Sequence, residues 1–203
     1  PPAVVQVRVV EVIVQPIVGR MADHAAAVHQ DFLESVVVRP HGVVVAQVPL
    51  AEDAGAVAGG FAGGIFAVYI PPREVDHEAR LAAMQADSYA LPLPPELEQS
   101  YAADVAHAQI GILRQLEARQ AVKICRTSDD IRASMAAGTI AAILHLEGAE
   151  AIDADLAALD SLHGIGLRSL GPVWSRPTIF GHGVPFAFPS SPDTGPGLTE
   201  AGE

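Results

Sequence analysis

Thr139-Ile-Ala-Ala-Ile-Leu-His-Leu-Glu147-Gly148 is the stretch on which the reading of the fold turns. A near-continuous apolar run of this length, closed by glycine, is what a strand of a buried parallel sheet looks like. Glu147 then stands at the strand's C-terminal end, where such sheets place their chemistry. An ionised carboxylate leaving an apolar strand is costly unless a cation or hydrogen-bond donors meet it. Two readings follow for Glu147: a metal ligand, or a side chain that turns into solvent or pairs with an arginine. His145 lies two residues earlier and shares the face of Glu147 on a strand. It is either a second ligand or a hydrogen-bonded residue of the sheet interior.

The flanks of this strand alternate between strand and helix. Upstream, Gly59-Gly-Phe-Ala-Gly-Gly64 leads into an apolar strand, Ile65 to Ile70, stopped by Pro71 and Pro72. The pattern predicts helices over about 76–89 and 95–120. In the second, Val105, Ala108, Ile112 and Leu116 share one face. Ala121 to Cys125 reads as a short strand, and Ser128 as the N-cap of a helix closed by Gly138. Beyond Glu147 follow a helix over about 153–162, ended by Gly164, and a strand over 167–170. Residues 171–203 hold 12 Gly or Pro among 33 and read as a long ordered loop. Strand-helix alternation with long loops after strands predicts an α/β chain, the N-terminal half of a partial (β/α)8 TIM-type barrel. Half a barrel leaves sheet edges open, so the chain alone is expected to fold poorly.

The chain has 203 residues, half of them hydrophobic, and a formal net charge of −12. That is enough for one sizeable core. It argues against nucleic acid as a partner, because no basic patch is present to neutralise phosphates. Cys125 is the only cysteine, which excludes an intramolecular disulfide and a cysteine-rich zinc site. No apolar stretch reaches the roughly 18 residues of a transmembrane helix, and a reducing, cytoplasmic setting is the default.

Composition shifts near residue 50. Val fills 16 of the first 50 positions and 7 of the remaining 153. Residues 1–58 are therefore divided off as an atypical Val-rich segment, read either as partly non-native coding sequence or as a genuine Val-rich edge. Residues 59–203 form the barrel half. The final Gly197-Leu-Thr-Glu-Ala-Gly-Glu203 resembles the start of a helix, so the chain is expected to be a fragment.

The remaining chemistry-bearing residues carry weaker signals. The Gly59 to Gly64 cluster precedes a strand and lacks the GxGxxG spacing, so close backbone approach explains it better than phosphate binding. His29-Gln-Asp31 is a literal HxD in helical surroundings, which point the two side chains apart. His41 follows the apolar Val36 to Val38, a strand-end context, yet the residue two further on is Val43. His182 lies in the Gly/Pro-rich loop near Trp174 and Arg176 and either lines a pocket or is exposed. Cys125 reads as a packing residue. No GxSxG nucleophile elbow occurs.

Several of these segments together resemble the membrane (renal) dipeptidase family: residues 59–72, Ser128-Asp-Asp-Ile-Arg132, Ile140 to Ile152 (IAAILHLEGAEAI) and Gly197-Leu-Thr199. The resemblance covers residues 59–203, and LEGAEAI with its distance to GLT is its most specific part. It implies a zinc-dependent dipeptidase on an amidohydrolase-like barrel. Two Zn2+ ions share a bridging glutamate and a bridging hydroxide that attacks the peptide carbonyl of a small dipeptide. Glu147 stands at the bridging position. Of the HxD within the family's DGHND-like motif, Arg39-Pro-His-Gly-Val43 keeps only His41, which becomes the second metal-ligand candidate. The family's later histidine ligands and its acid/base aspartate would lie beyond residue 203. A substrate-contacting histidine is replaced around Trp174. The isolated chain is thus expected to be inactive, and a homodimer is compatible with the sequence. The alternatives are a non-catalytic barrel relative that has lost its metal site, or another metal-dependent amidohydrolase.

Overall fold

The computed structural model describes residues 61–73, 77–191 and 193–203, together with the backbone of three short strands before them. Those are β1 (Glu11–Val14), β2 (Val36–Val38) and β3 (Val44–Ala46). Then follow β4 (Gly63–Tyr69), α1 (His77–Met84), β5 (Tyr89–Ala90), α2 (Gln99–Ala118), β6 (Val122–Ile124) and α3 (Ser128–Ala137). The chain continues through β7 (Ile140–Glu147), α4 (Ala157–Ile165), β8 (Leu167–Gly171) and β9 (Ala187–Phe188).

The apolar run ending at Glu147 is β7, the centre of a five-stranded sheet in which every pairing is parallel. β4 pairs along its whole length with β7, from Gly63↔Ala141 to Tyr69↔Glu147, and β1 pairs with β4 on the far side. β6 matches the start of β7 and β8 its end, so these two share the edge opposite β4. A sheet in strict chain order would place β6 between β4 and β7. Instead β4 meets β7 directly. The Gly63 position shows how close the approach is: a Cβ there would collide with the carbonyl oxygen of Ala141 and lie 2.8 Å from its Cβ. The glycine cluster therefore serves strand packing, as its context before a strand suggests.

Side-chain alternation then sorts the two faces. Phe66 and Val68 with Leu144 and Leu146 enter the core, beside Ile110 and Leu113 of α2. Each fully buried side chain of this kind contributes about 1.5–3 kcal/mol. The opposite face carries Ala67 and Tyr69 beside His145 and Glu147. On α2 the buried residues are Ala102, Val105, Ala106, Gln109, Ile110, Ile112 and Leu113; of the expected face, Val105 and Ile112 are buried, Leu116 packs against the core and Ala108 is half-buried. The stripe is broader than the expected one and includes Gln109, which turns inward. Its amide accepts from Tyr69 N–H (3.1 Å) and donates to Tyr69 C=O (2.6 Å), completing the backbone pairing of the β4 terminus.

Helix boundaries differ from the sequence reading for local reasons. The N-cap of α3 is Thr127, one residue before Ser128. Thr127 Oγ1 accepts from Asp130 N–H (3.1 Å), and Asp130 accepts from Thr127 N–H (2.9 Å). Only Thr127 has a carboxylate three residues on, which a capping box requires. α4 starts at Ala157, with Asp153 accepting from Ala158 N–H, and ends at Gly166 (φ 135°) instead of Gly164. Tyr89 belongs to β5, which pairs antiparallel with β9 and fastens the 171–203 loop to the body. Among the described residues no helix is long and apolar enough to cross a membrane.

Candidate metal centre and the adjoining pocket

Glu147 closes β7 with 6 % of its surface exposed. Its neighbours in register are Tyr69 on β4 and Gly171 on β8. The chain then turns sharply at Gly148 (φ 95°), and this turn is tied to β8: Gly148 N–H donates to Gly171 C=O (3.1 Å) and Ala149 N–H to Pro172 C=O (3.2 Å). A Cβ on Gly148 would strike Glu150 Oε2 and sit 3.0 Å from its Cδ, so glycine is needed for both the turn and the carboxylate packed beneath it.

Glu150 is buried, and so is its partner Arg176 from the loop after β8. Arg176 Nη1 donates to Glu150 Oε1 (2.7 Å) and to the carbonyl of Ile70 (3.2 Å). One guanidinium thus joins the ends of β4, β7 and β8. Glu150 Oε2 and Arg176 Nε lack hydrogen-bond partners, so the pair is incompletely satisfied. Burial pushes the Glu150 carboxyl above its usual range, outweighing the attraction of Arg176. The Tyr69 hydroxyl is likewise raised, first by burial; Arg176 and Arg80 oppose the shift, while Glu150 and Glu147 add to it.

Beside Tyr69 opens a pocket of about 250 Å3. Tyr69, Arg80, Glu150, Trp174, Arg176 and Phe186 line it, with the Pro92–Pro95 segment as a further wall. Its aromatic side is a chain of edge contacts, Tyr69 to Trp174 (5.5 Å) and Trp174 to Phe186 (5.4 Å). Backbone pairing frames it: Leu91 N–H donates to Phe186 C=O (2.8 Å), and Ser175 and Val184 bond each other.

Of the residues singled out from sequence, Glu147 is at a buried strand end. His41, like His29 and Asp31, lies outside the described residues. His145 Nδ1 is 2.8 Å from Ser169 Oγ, in keeping with the hydrogen-bonded reading. A register shift between β7 and β8 puts Ser169 opposite it. His182 is exposed and does not line the pocket. Cys125 is buried, its thiol raised by burial. Glu150 and Tyr69 were not singled out. The first is visible in LEGAEAI as a second carboxylate three residues after Glu147, the only sequence signal available. Among the described residues, no three His, Cys, Asp or Glu side chains are grouped to hold a metal ion. Glu147 therefore fits one ligand position, a buried anion at a sheet terminus, without a complete donor set around it.

The sequence profile of the membrane dipeptidase family (peptidase family M19) matches residues 19–203. The chain belongs to this family. Among solved structures, this M19 chain is similar to a metallopeptidase from Rhodobacter sphaeroides liganded with a phosphinate mimic of the dipeptide L-Ala-D-Ala. The two share 53 % identity with a TM-score of 0.68, over 75 % of this chain and 44 % of that one. It is also similar to the dipeptidase AC, a metallopeptidase of family M19, at 54 % identity and a TM-score of 0.66, over 72 % and 42 % of the two chains. A protein encoded in the PQQ-III 3' region of Acinetobacter calcoaceticus is 38 % identical over 148 residues, covering 71 % of this chain and 44 % of that protein. The M19 chain thus spans less than half the length of these relatives.

Proposed function

We propose that this chain supplies the N-terminal half of a (β/α)8-barrel, zinc-dependent dipeptidase, with residues 59–203 as the barrel half and residues 1–58 as a Val-rich lead-in. The observation that carries the reading is the buried carboxylate of Glu147 at the C-terminal end of the central parallel strand. Family membership and the metallopeptidase neighbours support it. In this reading Glu147, with His41 as a further ligand, would hold the zinc. Bound zinc supplies Lewis-acid activation of water near neutral pH. The chain's own contribution is positional. The Glu150–Arg176 pair ties the turn after β7 to the end of β4, next to the Glu147 position. The substrate is a small dipeptide, received at the same sheet end. A cytoplasmic setting accords with the single, buried, unpaired Cys125.

The test is Glu147→Gln in the complete barrel, with zinc content by elemental analysis and dipeptide hydrolysis measured together. The amide is isosteric but cannot act as a shared anion between two dications. Turnover is expected to fall to background and zinc content to drop, with the far-UV circular dichroism unchanged. Wild-type turnover in this variant would sink the assignment.

A further inference from the structure

Among the described residues that line it, the pocket beside Tyr69 carries a charge that no other side chain balances. Three ionic side chains line it: Arg80, Glu150 and Arg176. Glu150 and Arg176 neutralise each other at 2.7 Å. Arg80, half-buried on α1, makes no ion pair among the described residues and leaves the pocket with one net positive charge. Its guanidinium lies over the Phe186 ring, Cζ 4.4 Å from the centroid. A guanidinium held by its face keeps its N–H donors around the rim, fixed in the fork that matches a carboxylate. The remaining lining is largely apolar, Leu93, the flanking prolines, Trp174 and Phe186, with Tyr69 and Ser175 as its uncharged polar members. The site thus offers a largely apolar wall beside a cation held over the Phe186 ring. Tyr69 connects it to the metal-ligand candidate, because it lines the pocket and is the cross-strand partner of Glu147, about 5 Å away between backbones.

We propose that this pocket is the subsite for an acidic side chain of the substrate, with Arg80 receiving the carboxylate and the aromatic and proline walls holding the methylene stem. This deepens the dipeptidase reading, on which it rests, by naming the substrate class: dipeptides that carry glutamate or aspartate. Lysyl and arginyl side chains are excluded by like charge. Glutaminyl side chains fit sterically but cannot engage Arg80 as an ion.

Trp174 is the only tryptophan of the chain and lines the pocket, so its emission reports on this site alone. Titrating the zinc-free complete barrel, with any tryptophan outside these 203 residues replaced by phenylalanine, with Ala-Glu and with Ala-Gln compares two ligands that differ only in the charge at the side-chain terminus. A charge-assisted bond in a partly buried site corresponds to at least about tenfold in Kd. Ala-Glu is expected to bind tighter by that factor. Arg80→Gln is expected to erase the difference, with Ala-Gln still giving a saturable emission change, which shows that the variant's pocket is formed. Equal Kd values in the wild type, no emission change with either dipeptide, or a preference that survives in Arg80→Gln would each overturn the proposal. Hydrolysis of the same two dipeptides by the zinc-loaded complete barrel separates the two claims. Selective binding without hydrolysis leaves the subsite standing and removes the dipeptidase reading. Hydrolysis without selective binding does the reverse.

Discussion

Replacing Arg176 by methionine tests how the sheet terminus is held together. Met keeps most of the volume and removes both bonds of Nη1, to Glu150 Oε1 and to the Ile70 carbonyl. It leaves the Glu150 carboxylate, 9 % exposed, without its cation. Removing one partner of a buried ion pair costs about 3–5 kcal/mol, most of it the penalty of the stranded charge. Replacing both partners by apolar residues is often near neutral. Glu150→Leu with Arg176→Met is therefore expected to recover most of the loss, giving a coupling of several kcal/mol where independent sites would add. The assay is urea unfolding of the complete barrel followed by circular dichroism. The deficit also depends on pH in a definite direction. The Glu150 carboxyl is already raised above its unfolded value by burial. Between those two values the folded state binds more protons, so stability falls as pH rises through the window. Without Arg176 the folded value rises further and the window extends upward. The Arg176→Met deficit should be largest near neutrality and shrink on acidification. A single-variant loss below about 0.5 kcal/mol, the level of an ordinary surface substitution, would refute the argument, as would a double variant no better than the single.

Two further outcomes follow from local geometry. Thr127→Ala removes one half of the α3 capping box and should cost about 1 kcal/mol in thermal or urea unfolding. Asp130, the other half, is held below the usual carboxyl range, first by the Arg126 N–H and then by Thr127. Its contribution is thus present above its unfolded value and lost as pH falls through the lower folded one; a cap effect that grows with acid would contradict this. Cys125 should react slowly with a thiol-specific maleimide in the native protein and at full rate in denaturant, since it is buried and its thiol is raised. Labelling of native protein at the free-thiol rate would show that the strand end is open.

Much of this architecture is legible locally. The run from Ile140 to Glu147 shows a buried strand by its apolar continuity, and the structure makes it the central strand of the sheet. The glycine cluster before β4 signals a close approach, and Gly63 against Ala141 is that approach. Boundaries were legible only where a side chain had one local partner. Asp130 selects Thr127 over Ser128, and a reading that stops at the nearest hydroxyl misses it. The inward turn of Gln109 could not be read, because its partner is the Tyr69 backbone forty residues away.

What the sequence by itself determined is the class of the chain and the place of its carboxylate: parallel β/α alternation, a strand ending in Glu147, and segments that resemble the membrane dipeptidases. Periodicity and strand termini are written in near neighbours, so a linear reading reaches them. Tertiary structure alone decided that β4 lies directly against β7, that Glu150 and Arg176 neutralise each other, and that Arg80 lines the same pocket with no ion pair among the described residues. Those facts depend on pairings between residues 26 to 106 positions apart. Charge balance at a site is a sum over whatever folding brings together, and no local pattern contains that sum.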